Sequence, residues 1–364
     1  MPALISKRVK DSMRKHYIDN IRILCILLLF PFHTSRMFNS IEAFYVEGTP
    51  TAYCDMFIDI TSKWFMPILY LLAGVSAYYA LKKRTSKEYI RERFFKLIIP
   101  FVFGMTLIVP PQTYFAEVQH NAYTGGFFEQ YGLFFTKVTD FSGYRGGLTP
   151  GHTWFMLCLF LISLLMLPLI LLYNNKSKKI NGEKWNILKL ILLFMPNALL
   201  SGFEVLGERV GLYISLFMLG YIFISDDNIQ NILDKNRFIL LGSAIILNII
   251  NLIKIEYGNF YSPILISVSV NLMIWVTILA IIGLGKHYLN FRNKFTDYFN
   301  KASFPIYIFH QTWLVAVGYF AMKITNIVAL QIIMIITFGF IFTVLTYEIA
   351  KRTPITRFMF GIKK

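Results

Sequence analysis

The chain of 364 residues is 56% apolar and 17% aromatic, and only 15% of its residues are charged. That balance excludes a water-soluble globular protein of this length, in which about a quarter of the residues would be charged. The net charge of +16 sits in short basic clusters between apolar runs, not along one soluble face, and this argues against nucleic acid as a partner.

A hydrocarbon core about 30 Å thick takes helices of about 20 mostly apolar residues. Apolar windows predict ten spans, near 21–39, 64–81, 97–115, 152–173, 187–202, 210–225, 237–254, 262–285, 304–323 and 327–350. The fold class is therefore all-α, a polytopic integral membrane protein read as a single transmembrane domain over 1–364. Residues 1–16 form a basic segment with Lys7, Arg8, Lys10, Arg14 and Lys15. It leads into an apolar run long enough to stay as the first span and lacks a small-residue cleavage site. The next loop carries Glu42, Glu47, Asp55 and Asp59, and the one after it Lys82, Lys83, Arg84, Lys87, Arg91, Arg93 and Lys96. Later clusters (Lys176, Lys178, Lys179 and Lys184; Lys286, Arg292, Lys294 and Lys301; Lys351, Arg352, Arg357, Lys363 and Lys364) keep the alternation that ten spans require. Basic loops remain cytoplasmic, which places both termini inside.

The segment 116–151 is the longest external stretch, rich in Gly, Tyr and Phe, a length that suits a lid or an acceptor-binding surface. Pro196 and Asn197 interrupt the fifth window, which is then tilted, broken or re-entrant. Trp64 and Trp154 fall at outer helix ends and Trp185 at an inner one, as headgroup-level anchors. Cys25, Cys54 and Cys158 are far apart without metal-ligand spacing and read as packing residues. Neither an internal repeat nor a pair of broken helices, the usual pointer to a transporter, is visible.

Each ionisable group inside hydrocarbon needs a reason, since a central Arg costs at least about 2.5 kcal/mol. In the first span ten residues separate Arg22 from His33. Eleven steps of ~100° bring both to one helix face, about 16 Å apart along the axis. Arg22 then lies at the cytoplasmic edge and His33 near or beyond mid-membrane. The pair suits a long donor with an anionic head, such as acyl-coenzyme A: Arg22 would hold the head, and His33 would meet the thioester and act as general base toward an acceptor hydroxyl. Plainer roles stand beside these, with Arg22 snorkelling and His33 bonding a neighbouring helix. Asp19 and Asn20 fit helix N-caps.

Tyr17-Ile18-Asp19-Asn20-Ile21-Arg22 followed by Phe32-His33 resembles the opening of the acyltransferase-3 family, and within it the branch that includes glucan biosynthesis protein C. Arg93-Phe94-Phe95-Lys96 before Pro100, Gly151-His152-Thr153-Trp154-Phe155, and Phe304-Pro305-Ile306-Tyr307-Ile308-Phe309-His310-Gln311 continue the likeness, which ends at Arg352 to Gly361 and so spans nearly the whole chain. The resemblance implies that His33 is catalytic and that Arg22, Arg93 and Lys96 attract the donor. It also implies a role for His310 near the donor path, with Tyr307 one turn earlier in support; the plain alternative for His310 is a helix-packing hydrogen bond. His152 would hold a sugar hydroxyl or assist proton transfer; its plain alternative is an interfacial residue facing water. The family usually has Arg-x-x-Arg where this chain has Arg93 and Lys96, and Lys attracts phosphate as a point charge without a planar fork. The basic stretch Lys82 to Lys96 would also attract anionic membrane lipid. His16, His120 and His287 are given no role, and Glu348 pairs with a neighbouring base.

The expected activity is transfer of an acetyl or succinyl group from cytoplasmic acyl-coenzyme A to a hydroxyl of an external or lipid-linked glycan, across the cytoplasmic membrane of a bacterium. Direct transfer and a transient acyl-histidine both remain open. No metal is implied, since no His, Asp or Glu cluster has ligand spacing. The rival class is a transporter or flippase exporting a glycan, in which the intramembrane Arg and His would line a substrate or proton path.

Overall fold

In the computed structural model, which describes residues 15–176, 180–256 and 262–362, every apolar window is helical and no strand forms among the described residues. Hydrocarbon offers the backbone no hydrogen-bond partner, so a spanning segment must satisfy its own N–H and C=O groups as a helix. The basic residues Lys7, Arg8, Lys10, Arg14, Lys178, Lys179, Lys363 and Lys364 lie outside the described residues.

The helices in chain order are α1 (His16–Arg36), α2 (Ala52–Leu81), α3 (Ser86–His120), α4 (Phe127–Thr136), α5 (Gly151–Asn174), α6 (Ile187–Leu200) and α7 (Val210–Ile224). They continue as α8 (Asp227–Lys235), α9 (Arg237–Glu256), α10 (Pro263–Tyr288), α11 (Lys294–Ile324), α12 (Val328–Ala350) and α13 (Pro354–Met359). Six of these, α1, α2, α3, α5, α10 and α12, are long and apolar enough to cross a membrane; α7 with α8, bent by 97° at their junction, makes a seventh if the pair is one span. The 31-residue α11 is not among the six, and its middle carries His310, Gln311 and Thr312 between apolar residues.

Several boundaries differ from the sequence expectation. Helix α2 starts at Ala52, capped by the Thr51 side chain, so Trp64 lies inside a helix and not at its end. Its 30 residues span about 45 Å at ~1.5 Å each, more than the ~30 Å hydrocarbon layer, which a helix accommodates by tilting or by extending beyond it. Asp55 in the first turn takes hydrogen bonds from the Ser40 N–H (2.8 Å) and hydroxyl (2.7 Å), which fastens the α1–α2 loop. The stretch 116–151 is not a plain loop either: α3 runs on to His120 and the 10-residue α4 follows it.

Helix α3 contains π turns at Phe94–Ile98 and Gly104–Ile108, next to Pro100 and Pro110, whose missing N–H groups break the regular ladder. The Tyr131 hydroxyl of α4 donates at 3.0 Å to the Thr106 carbonyl, the group that Pro110 leaves without its helical donor.

By internal contacts the described residues divide into two compact units. The first takes those of Met1–Cys25, Leu71–Ser76 and Ile180–Asn300; the second takes those of Ile26–Tyr70, Ala77–Lys179 and Lys301–Lys364. Within the first, α2 and α7 meet backbone to backbone: a Cβ on Gly74 would fall 1.9 Å from the Phe217 carbonyl oxygen, and one on Gly220 2.1 Å from that of Leu71. Small residues allow such approaches between membrane helices. Gly74→Val is expected to destabilise the protein by at least about 1–3 kcal/mol, the usual cost of overpacking. A thermal melt in detergent checks this, and an unchanged melting temperature would show that the close crossing is unimportant.

Candidate active site

Three histidines converge in the second unit from three separate helices. His33 lies in the last turn of α1, His152 in the short 3-10 turn Gly151–Thr153 that opens α5, and His310 in the middle of α11. Ring centroids are 5.1 Å apart for His33 and His310, and 5.2 Å apart for His152 and His310. His310 is thus the middle of a row, and it is fully buried.

The turn that aims His152 depends on Gly151, which has φ of +50° and lies where a Cβ would stand 3.1 Å from the Val109 side chain and 3.2 Å from the Tyr45 hydroxyl. Only glycine meets both demands without strain. The ring is then held from every side. Its Nε2 donates to the Ile308 carbonyl at 2.8 Å, which leaves Nδ1 as acceptor, 3.4 Å from the Gln112 amide nitrogen. That amide also donates to the Thr312 hydroxyl at 2.7 Å, and the Gln112 carbonyl oxygen accepts from Gln311 at 3.0 Å. The Tyr307 hydroxyl donates to the His152 backbone carbonyl. Both ring nitrogens of His152 are therefore engaged, and Tyr307 acts on the histidine row from within the protein.

His310 and His33 are different. The Nδ1 of His310 lies 2.6 Å from the Tyr307 carbonyl and must donate to it, so the lone pair resides on Nε2. That Nε2 is buried with no hydrogen-bond partner, and so is Nδ1 of His33. A buried polar atom left unpaired costs about 1–3 kcal/mol, so two of them on neighbouring rings are a departure that packing alone does not explain.

Above His33 the α1–α2 loop folds back. The Phe44 ring stacks on the imidazole with centroids 5.9 Å apart and planes 21° from parallel, and the Arg36 guanidinium stands 5.8 Å from the Phe44 ring while pairing with Glu42 at 2.6 Å. Tyr144 packs against Phe44 and Tyr45, and His120 donates to the Phe44 carbonyl at 2.8 Å. Burial pushes the Tyr45 and Tyr144 hydroxyls above the ordinary phenol range, so both stay protonated donors at physiological pH. The Glu117–Lys137 ion pair fastens the following segment to the end of α3.

Arg22 belongs to the first unit. Its guanidinium donates to Asp19 at 2.9 Å and to the Ser76 hydroxyl at 3.1 Å, and its side chain remains 35% exposed, so part of the group can still meet a ligand. Asp19 and Asn20 do not cap α1, which starts at His16: Asp19 is the ion-pair partner, and the Asn20 amide donates to the Leu289 and Phe291 carbonyls at 2.6 and 2.9 Å. Arg93, in the second unit, lies 5.0 Å over the Tyr89 ring, and Lys96 sits in the first π turn of α3. Glu348 pairs with Lys351. Sequence reasoning assigned no role to Gln112 or Gln311. The signal available was an uncharged amide inside or at the edge of an apolar window. Among the described residues no group of three or more His, Cys, Asp or Glu is placed to hold a metal ion.

Two relatives are named "Glucans biosynthesis protein C": the protein of Salmonella paratyphi B (strain ATCC BAA-1250 / SPB7) is 23% identical, and that of Salmonella heidelberg (strain SL476) 24% identical, each over 380 residues covering 96% of this chain and 95% of the relative. No solved structure gives a significant match. A family model described as "Acyltransferase domain" matches residues 15–348, so this chain, with its convergent histidines among membrane helices, belongs to the acyltransferase-3 family and is an acyltransferase of groups other than amino-acyl groups.

Proposed function

We propose that the protein moves an acetyl or succinyl group from cytoplasmic acyl-coenzyme A to a hydroxyl of an external or lipid-linked glycan. The observation that carries this reading is the pair of unpartnered imidazole nitrogens, His33 Nδ1 and His310 Nε2, on rings 5.1 Å apart. His33 is the partly exposed member, and in this reading its other nitrogen meets the substrates. As the acceptor oxygen attacks the thioester carbonyl, its proton passes to His33, and the resulting imidazolium is stabilised by the lone pair that Tyr307 fixes on His310. The carbon–sulfur bond then breaks, and the coenzyme A thiolate takes the proton back. Catalytic hydrogen bonds are often long before substrate binds and tighten in the complex, so the open His33–His310 contact fits this role.

His152 and Tyr307 hold the row in register, while Arg22, Arg93 and Lys96 attract the anionic end of the donor. The glycan acceptor is supported by the names of the two relatives. The chain is read as one domain with ten spans and cytoplasmic termini in a bacterial inner or cytoplasmic membrane. Mass spectrometry of envelope glycans from cells with and without the gene tests the reading. Ester-linked acyl groups that depend on the gene are the expected result; unchanged ester content with less glycan outside would instead reveal an exporter.

Phe44 bears on water exclusion. Phe44→Ala opens the face of His33 and is expected to raise acceptor-independent thioester hydrolysis several-fold relative to transfer. Free thiol release without acceptor measures this, and an unaltered ratio would mean that Phe44 does not shield the site.

A further inference from the structure

We infer that a polar cavity at the start of α1, within the first unit, binds a phosphate group, and that its source is the nucleotide end of the acyl donor, an assignment that rests on the acyl-coenzyme A reading. The cavity measures about 310 Å³ and is lined by Lys15, Tyr17, Asp227, Gln230, Asn231, Lys286 and Asn290. These residues come from the start of α1, from α8, and from the end of α10 with the turn after it. None of the seven is aliphatic, and the apolar surface they offer is lysine stem and tyrosine ring.

Each ammonium group has a carboxamide oxygen as partner, and Lys15 has the Asp227 carboxylate as well. Lys15 donates at 2.6 Å to the side-chain oxygen of Gln230, which is fully buried and anchored by its own amide on the Ile224 carbonyl at 2.7 Å. Lys286 donates to the Asn231 side-chain oxygen. The frame is fixed as well: the Tyr17 N–H donates to the Asn290 side-chain oxygen at 3.4 Å, and one turn on, Asn20 fastens α1 to the carbonyls of Leu289 and Phe291. Two positioned ammonium groups with carboxamide donors beside them match a tetrahedral oxyanion, whose oxygens accept several charge-assisted hydrogen bonds at once.

Asp227 opposes this, since it pairs with Lys15. Its side chain is 74% exposed, however, against 20% for Lys15, so water screens the carboxylate more than the ammonium. Among the described residues the lining carries two lysines and one aspartate. The volume lies at the lower end of the ~300–1,000 Å³ typical of ligand pockets, enough for a phosphate with its sugar or base and too small for a whole coenzyme A. Anionic phospholipid headgroups carry the same chemistry and collect at basic membrane rims, so the test separates the two sources.

Full-length protein in phosphatidylcholine nanodiscs is titrated with adenosine 3′,5′-bisphosphate, and its melting temperature is compared in discs with and without phosphatidylglycerol. Loss of one charge-assisted contact should weaken binding about tenfold, so Lys15→Ala and Lys286→Ala each lose about that factor, Lys286→Arg retains most of the affinity, and Asp227→Asn binds more tightly. Stabilisation by phosphatidylglycerol that both alanine variants lose, without bisphosphate binding, supports the phosphate site and overturns the nucleotide source. Bisphosphate affinity and lipid response that are both indifferent to Lys15 and Lys286 overturn the site, even in a protein that turns over acyl-coenzyme A. Lysine-dependent bisphosphate binding by a protein that never consumes the thioester keeps the site and defeats the acyl-transfer reading instead.

Discussion

Replacing His33 with alanine is expected to lower acyl transfer by a factor of about 10²–10⁴, the range set by loss of a general base. The side chain stands in the last turn of α1, partly exposed, with Phe44 stacked on one face and His310 beside it. Alanine is a good helix former, so the helix should persist. Because the vacated position is reachable from outside the protein, added imidazole should restore part of the rate. Thiol release with the purified variant, with and without imidazole, checks both points. A variant as active as the parent chain would remove His33 from the mechanism.

His310→Ala is expected to lower the rate nearly as much, and imidazole should not rescue it. His310 is fully buried, with Phe30 at 5.8 Å between ring centroids, so a free imidazole has no path to its place. A role confined to packing would act chiefly through stability. The proposed role instead lowers kcat with little change in KM for the donor, because His310 stabilises charge that appears on His33 only as the acceptor proton moves. Melting curves and kinetics on the same preparation separate the two: a large loss of melting temperature with kcat preserved in the folded fraction would make His310 a core residue and nothing more.

The helices were legible because lipid leaves the backbone no alternative, and long apolar windows therefore identify them without tertiary information. The start of α2 was not. Asp55 and Asp59 read as loop residues, yet they occupy the first turns of a helix longer than the hydrocarbon layer, where charge is no obstacle. The reach of α3 was also underestimated: the apolar window 97–115 runs through Pro100 and Pro110, and π turns absorb both prolines within a longer helix.

At the site, Arg22 and His33 stood out through local spacing, and His310 through the motif that carries the resemblance. Their convergence was beyond reach, because residues separated by more than a hundred positions meet only when α1, α5 and α11 pack. Gln112 was not singled out, and Gln311 was given no role of its own, for a different reason. A neutral amide costs less in hydrocarbon than a charge and carries no signature of its own, yet these two form the hydrogen-bonded link that fixes His152. Asn20 likewise read as a cap and proves to hold α1 to the backbone that follows α10.

The most direct test is acyl transfer by the purified chain in nanodiscs, supplied with radiolabelled acetyl- or succinyl-coenzyme A and a glucan acceptor. The account predicts that label moves to the glucan with matching release of free thiol, and that both stop in the His33→Ala variant. Failure to bind or consume either thioester in the presence of acceptor, with the protein folded, would contradict it.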